Sequence, residues 1–153
     1  MNLDRYTQKA QEAILQAQHV AMQFSHQNIE PTHLLLALLQ QEEGVVPAVV
    51  TKISGSVTAI REDVVKALQN RPKVYGANTE VGLARPTMEV LSSAERYAKG
   101  MQDEYISTEH ILLGLTESVE GKRLSEFGLT KDAILKALAS VRGTQRVTSQ
   151  NPE

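Results

Sequence analysis

The feature that most constrains the fold of this chain is an internal duplication with a spacing of 77 residues. Residues 29–38 (IEPTHLLLAL) return as residues 106–115 (ISTEHILLGL), so His33 and His110 hold the same place in the two copies. Residues 64–68 (VVKAL) return as residues 134–138 (ILKAL) at a spacing of 70. A repeated unit buries its apolar face by packing against its neighbour. The sequence therefore predicts one domain built from two related halves.

Apolar residues at spacings of three and four predict α-helices in both copies. Ala10, Ala13, Ile14, Ala17, Val20, Ala21 and Phe24 correspond to Thr87, Val90, Leu91, Ala94, Tyr97, Ala98 and Met101. We expect an all-α fold of two four-helix repeats related by a pseudo-twofold axis. The predicted helices lie at about 7–24, 31–42, 46–52 and 57–69, and at about 87–101, 108–118, 121–126 and 130–142.

One run of β-branched residues, 45–50, is also compatible with a strand. Its counterpart, residues 122–127, has no strand pattern, which favours a helix at both places.

Several residues are of the types that begin helices. Thr7 is a candidate N-cap for the first helix, and Pro31 and Pro86 stand where proline's missing N–H is tolerated. Ser107 is a candidate N-cap for the sixth helix, and Glu109 would place a negative charge at its positive end. These residues set the predicted helix starts.

The predicted domain covers residues 1–142. Repeat one is residues 1–70, a connector rich in glycine and proline is residues 71–85, and repeat two is residues 86–142. Residues 143–153 are polar and predict the start of a flexible tether.

Charge and composition argue against several classes of partner. Sixteen basic and eighteen acidic residues leave a formal net charge of −2, so neither nucleic acid nor an anionic membrane is expected as a partner. There is no cysteine, which excludes disulfides and thiolate metal sites. No apolar run approaches the roughly 18 residues that span a bilayer, and no signal peptide is visible. We therefore expect a cytoplasmic protein.

The motifs of catalysis and cofactor binding are not present in the sequence. The two equivalent histidines have no third ligand at metal spacing, no phosphate-binding loop motif occurs, and no nucleophile motif accompanies the serines. We expect no cofactor, no metal and no enzymatic activity in this chain.

Two helical copies that pack about a pseudo-twofold axis should leave a groove at their seam. The first helix of each copy and the loop before the next helix would line it. Grooves between helices commonly bind peptides and apolar ligands.

The doubled motif Ile-x-x-x-His-x-Leu-Leu-x-Leu, preceded by an alanine-rich amphipathic helix, resembles the N-terminal repeat domain of Clp-type AAA+ unfoldases. Residues 1–7 (MNLDRYT), 29–33 (IEPTH) and 71–74 (RPKV) are most similar to the ClpB-type disaggregases in that family. The resemblance implies a hexameric parent ATPase that threads unfolded or aggregated polypeptides. It also implies ATP and Mg²⁺ in ATPase modules outside this chain, a DnaK-type chaperone as partner of the parent, and a monomeric fragment.

The resemblance also implies substrate-binding residues in the groove between the copies. Family positions match this chain at Thr7, Leu91, Asp103 and Glu109. Each has a structural alternative that the sequence leaves open: a helix cap, a core leucine, a solvated loop acid and a first-turn acid, respectively. A second function also stays open, in which the domain docks adaptors for a ClpC- or ClpA-type unfoldase that feeds a protease.

Overall fold

The structure is a computed structural model that describes residues 2–75, 81–143 and 145–152. Within these ranges the chain forms eight α-helices, which confirms the predicted all-α fold. They are α1 (Gln8–Gln23), α2 (Pro31–Leu39), α3 (Val45–Ser54), α4 (Thr58–Gln69), α5 (Arg85–Gly100), α6 (Thr108–Thr116), α7 (Gly121–Glu126) and α8 (Lys131–Arg142).

The helix starts follow the residues that predicted them. Thr7 is the N-cap of α1, and its Oγ1 accepts a hydrogen bond from the Ala10 N–H at 3.2 Å. Pro31 and Pro86 lie in the first turns of α2 and α5, and Ser107 caps α6. The β-branched run at residues 45–50 is part of α3, as its counterpart in the second copy indicated.

Two very short strands join the halves and were not predicted. β1 (Asn28–Ile29) pairs in parallel with β2 (Gly82–Leu83). The equivalent contact on the other side is a parallel bridge between Tyr6 and Ile106. In each case the residues before the first helix of one half pair with the loop before the second helix of the other half. This crossed pairing is what the pseudo-twofold relation requires.

The core is centred on the second helix of each half. Every residue of α2 is buried, and so is every residue of α6 from Thr108 to Leu115. A helix that is apolar all round can only be stable when other helices surround it. Repeat one's α2 contacts both α5 and α6, so the two halves share one continuous core.

Residues 145–152 differ from the flexible tether that the sequence predicts, because they lie against the domain. Val147 is buried, its carbonyl accepts a hydrogen bond from the Glu104 N–H at 2.8 Å, and the Gln150 carbonyl accepts one from the Gln8 N–H at 2.7 Å. The first N–H groups of a helix have no partner within the helix, so an external carbonyl satisfies one of them here. The polar composition of the segment hid this docking.

The predicted connector, residues 71–85, is only partly described. Its last residues form β2 and the first residue of α5, whereas residues 76–80 lie outside the described part of the chain. Among the helices that the structure describes, none combines the length and apolarity needed to cross a bilayer.

Candidate functional site

The histidine of the duplicated motif closes the start of the second helix in each half. The Glu30 N–H donates to His33 Nδ1 at 2.8 Å, and the Ser107 N–H donates to His110 Nδ1 at 2.8 Å. This is a capping box with histidine in the position usual for Glu or Gln. Because Nδ1 accepts, the ring proton of each neutral histidine lies on Nε2.

In repeat one the Nε2 proton of His33 points to a second histidine, His26. His33 Nε2 lies 2.7 Å from His26 Nδ1, and both side chains are buried. Burial lowers the pKa of His33 to about 3, and the neighbouring His26 and Arg71 act in the same direction. Burial also lowers the pKa of His26, with further contributions from Arg71 and Lys73. The pair is therefore neutral at pH 7.

In repeat two the equivalent partner is an acid. His110 Nε2 lies 2.7 Å from Asp103 Oδ2, and Arg142 Nη2 donates to Asp103 Oδ1 at 2.7 Å. Burial acts to raise the pKa of Asp103, but hydrogen bonds from Arg142, the Val147 N–H and His110 outweigh it and lower that pKa. Arg142 Nη1 also lies 3.3 Å from Glu109 Oε2. Arg142 therefore joins the Asp103 and Glu109 carboxyl groups in one buried cluster.

Burial lowers the pKa of His110 as well, although the Glu109 and Asp103 carboxylates act in the opposite direction. His110 therefore serves as a neutral donor to an ionised Asp103.

The structure buries all four residues that the resemblance assigns to substrate binding. Thr7 is 1% exposed, Leu91 4%, Asp103 8% and Glu109 3%. Asp103 and Glu109 meet on Arg142, Thr7 donates its N–H to the Ile106 carbonyl at 2.9 Å, and Leu91 belongs to the core. Direct contact of these side chains with a substrate stays a prediction.

Sequence reasoning missed Arg142, which joins the two acids. A cation in the last turn of a helix is favourable in itself, so its position carried no separate signal.

An open cleft of about 670 Å³ lies between α5 and α6. Its lining combines apolar and charged residues, namely Pro86, Val90, Val119, Glu89, Arg96 and Glu117. Val119 is 72% exposed, more than any other large aliphatic side chain in the described part of the chain. The cleft therefore offers apolar surface to solvent beside charges of both signs.

The two helices that form this cleft approach each other closely at Gly114. An added Cβ there would lie only 2.6 Å from the Val90 carbonyl oxygen. The equivalent position in repeat one is Ala37, which carries a Cβ.

Repeat one has a cleft of about 480 Å³ at the equivalent place, between α1 and α2. Its lining is polar, with Lys9, Glu12, Gln16, Gln40, Gln41 and Glu42. Glu42 stands where repeat two has Val119, and Lys9 where it has Pro86. Of these two clefts, only the one in repeat two has an apolar wall, which is formed by Pro86 and Val119.

The loop that carries Val119 is fixed against repeat one. Thr32 Oγ1 donates to Glu120 Oε2 at 2.6 Å, and Arg123 Nε donates to Glu120 Oε1 at 2.7 Å. Glu120 is buried and Thr32 belongs to α2. One end of the apolar cleft is therefore anchored at the junction of the two repeats.

Among the described residues, no group of three or more His, Asp or Glu side chains is arranged to hold a metal ion.

Comparison with known proteins gives the family. The model of the Clp repeat N-terminal domain matches residues 5–127. Chaperone protein ClpB of Bacillus anthracis is 37% identical over the whole chain, which spans only 18% of that relative's length. The N-terminal domain of Hsp104 from Candida albicans has the same fold, with a TM-score of 0.82 at 24% identity, over 96% of this chain and 97% of that one.

The N-terminal domain of the caseinolytic protease associated chaperone ClpD from Arabidopsis thaliana has a TM-score of 0.70 at 25% identity, over 94% of this chain and 98% of that one. The match to the family model covers most of the chain and both copies of the histidine motif. The chain belongs to the family of Clp repeat N-terminal domains.

Proposed function

We propose that this chain is the substrate-binding domain of a cytoplasmic, ATP-dependent protein disaggregase of ClpB type. It captures exposed apolar segments of unfolded or aggregated polypeptides and performs no chemistry itself. The observation that carries the proposal is the solvent-exposed apolar wall of the cleft between α5 and α6. The 37% identity to a chaperone ClpB supports it. ATP, Mg²⁺, the hexameric ring and any contact with a DnaK-type chaperone belong to the proposed parent protein.

The cleft suits a segment that has apolar residues with charged residues beside them. The exposed side chains of Val119 and Pro86 would contact the apolar side chains, while Glu89, Arg96 and Glu117 surround them. Burial of about 200 Å² of apolar surface contributes roughly 5 kcal/mol before the ordering of the peptide is subtracted. The net affinity is expected to be weak. Several domains tethered around one ring would raise the effective concentration and make weak capture sufficient.

We also propose that Thr7, Leu91, Asp103 and Glu109 belong to a binding surface at the seam between the repeats, as the family resemblance implies. Asp103 and Glu109 lie beneath Arg142 and the segment that follows it. A substrate would reach them only after that segment moves.

A second candidate function is the docking of a folded adaptor for an unfoldase that feeds a protease. The likeness to the N-terminal domain of ClpD favours it, since the name of that protein associates it with the caseinolytic protease. The identity to ClpD is 25%, against 37% to the ClpB of Bacillus anthracis, so the disaggregase is the better supported function.

The direct test is binding of fluorescently labelled, unfolded α-lactalbumin, measured by anisotropy. Val119→Asp places a charge on the apolar wall and should weaken binding at least fivefold. Leu15→Asp is the matched control, because Leu15 is an exposed aliphatic residue on α1, away from the cleft lining. Equal affinities of the two variants would contradict the proposal. Binding of a folded adaptor, with no affinity for the unfolded protein, would favour the second function.

A further inference from the structure

Residues 145–152, which we name the strap, are attached to the domain chiefly through main-chain atoms. The Val147 carbonyl accepts hydrogen bonds from the Glu104 N–H at 2.8 Å and the Tyr105 N–H at 3.3 Å. The Val147 N–H donates to Asp103 Oδ1 at 2.8 Å. Further along, the Gln150 carbonyl accepts from the Gln8 N–H at 2.7 Å. The strap therefore bridges the loop after α5 and the start of α1.

The strap has a single apolar anchor. Val147 is 4% exposed, while its neighbours Arg146 and Thr148 are exposed. Main-chain hydrogen bonds with one buried side chain are the mode by which proteins bind extended peptides with little sequence selectivity. The surface beneath the strap thus has the properties of a peptide site, and the strap shows how a peptide lies in it.

The strap covers residues that the family resemblance assigns to substrate binding. Asp103 holds the Val147 N–H directly, Arg142 joins Asp103 to Glu109, and Gln8 follows Thr7 at the start of α1. Arg142 Nη2 also donates to the Gln145 carbonyl at 2.9 Å.

We propose that the strap is a displaceable occupant of a site for extended polypeptide, and that substrate segments compete with it for that site. The inference rests on the proposed function and gives it a second surface, separate from the lining of the α5–α6 cleft. The ligand class is an extended segment with a small β-branched apolar residue at the place of Val147 and polar residues on either side.

Displacement is inexpensive because the main-chain hydrogen bonds can be exchanged one for one, although the Gln150 side chain gives up bonds, to the Asp4 and Tyr6 carbonyls, that a substrate main chain does not replace. When the strap leaves, the N–H groups of Gln8, Glu104 and Tyr105 lose their acceptors. A substrate main chain offers carbonyl groups to these N–H groups and can place a side chain in the space of Val147. Water can bond to the same N–H groups but leaves that space without an apolar side chain. Asp103 keeps its bonds to Arg142 and His110 throughout, so the site remains formed.

In repeat one, the described residues that follow α4, 70–75, provide no comparable occupant of the loop after α1. The Val74 N–H donates to the Ser25 carbonyl at 2.8 Å, so the chain after α4 also turns back onto the loop after α1. Val74 is 53% exposed, however, and anchors nothing. A peptide site of this kind is therefore expected in repeat two alone.

The test uses the full chain and a labelled peptide with the sequence of residues 145–152 (QRVTSQNP). Val147→Asp should release the strap without filling the site, so the peptide should bind this variant at least tenfold more tightly than the unaltered chain. Thr148→Asp is the matched control, because it adds the same charge at an exposed position in the same segment. Val147→Ser should give a smaller effect in the same direction if the aspartate variant folds poorly.

Amide hydrogen exchange locates the effect. Exchange at Gln8 and Glu104 should accelerate in Val147→Asp and slow again when the peptide is added. Equal peptide affinities of Val147→Asp and Thr148→Asp, or unchanged exchange at both amides, would contradict the proposal that the strap is a displaceable occupant.

The same variants separate this inference from the proposed function. In one outcome, unfolded α-lactalbumin binds through the α5–α6 cleft while Val147→Asp changes neither its affinity nor that of the peptide. In that case the inference about the strap is wrong and the proposed function stands. If the peptide binds Val147→Asp and unfolded protein binds no form of the chain, the peptide site stands and the proposed function falls.

Discussion

The two halves of the molecule share a backbone plan but differ in what they expose and in what they bury. In both halves a histidine closes the start of the second helix. In both, the residues before the first helix pair in parallel with the loop before the second helix of the other half. In repeat one the histidine pairs with the neutral His26, whereas in repeat two it donates to the ionised Asp103. The clefts differ in the same way, since the polar one is in repeat one and the apolar one in repeat two.

The comparison shows which features a duplicated fold has to keep. The capping histidines close the start of the second helix in each half, and the crossed strand pairs join the halves, so both copies retain them. Two pairs of equivalent positions can differ because each residue affects only the surroundings of one histidine or the lining of one cleft. They are His26 with Asp103 and Glu42 with Val119. In repeat two, Val119 gives the cleft an exposed apolar wall and Asp103 binds the strap. We therefore expect binding to depend mainly on repeat two.

The largest predicted difference between the halves concerns their arginines. Arg142 has a side chain that is 10% exposed and holds Asp103 and Glu109, so Arg142→Met should lower the free energy of unfolding by about 3–5 kcal/mol. Arg71 is 39% exposed and lies 4.0 Å from Glu30, so Arg71→Met should cost less than about 1 kcal/mol. Urea denaturation measures both. Equal losses would show that the cluster in repeat two has no special role in stability.

The next effect concerns the packing of the first helix on the second. Gly114→Ala would force α6 away from the Val90 carbonyl and should destabilise the domain by about 1–3 kcal/mol. The reciprocal change, Ala37→Gly, should cost about 1 kcal/mol through helix propensity. Thermal unfolding compares them. A fully stable Gly114→Ala would mean that the close approach in repeat two is not required.

A pH effect of intermediate size should come from repeat one. The folded-state pKa of His33 is about 3, below the ordinary value of about 6.5, so the unfolded chain binds more protons between these values. Stability from this residue is complete above about pH 6.5 and is lost as the pH falls towards 3. It should be about 2 kcal/mol lower at about pH 5 than at neutral pH.

Urea denaturation over a pH series tests this, with His33→Gln and His19→Gln compared. His33→Gln should flatten the dependence, and His19→Gln is the control substitution at an exposed position of α1. A slope unchanged by His33→Gln would refute the assignment to the histidine pair.

The smallest predicted effect concerns the start of the first helix in each half. Thr7→Ala removes the cap of α1 and should cost about 1 kcal/mol, whereas the equivalent Ala84 has no side chain that caps α5. Ala84→Ser should therefore stabilise the domain by up to about 1 kcal/mol. Differential scanning calorimetry resolves both shifts, and a destabilised Ala84→Ser would show that the two helix starts are not equivalent.

Helix number and order follow from the sequence because apolar spacing and end residues are local signals. The run at residues 45–50 shows the value of the duplication, since β-branching alone permitted a strand and the second copy excluded it. The crossed pairing of Tyr6 with Ile106 could not be predicted, because two-residue strands carry no periodicity. The docking of Val147 was hidden for a similar reason, since one apolar residue among polar ones resembles a linker.

The candidate site was predictable only in part. Symmetry predicts a groove at the seam, but it cannot say which residues remain exposed. The apolar cleft described here lies within repeat two, and Val119 stands out only after the loop before α7 has been placed. The joint role of Asp103, Glu109 and Arg142 depends on contacts between residues distant in the chain, which local patterns do not carry.

The most direct test of the claim that repeat two receives the substrate is an amide NMR titration of the chain with unfolded α-lactalbumin. The account predicts the largest shifts at Val90 and Val119, with a second group near Glu104 as the strap is displaced. Shifts concentrated instead at Gln16 and Gln41, in the polar cleft of repeat one, would contradict it.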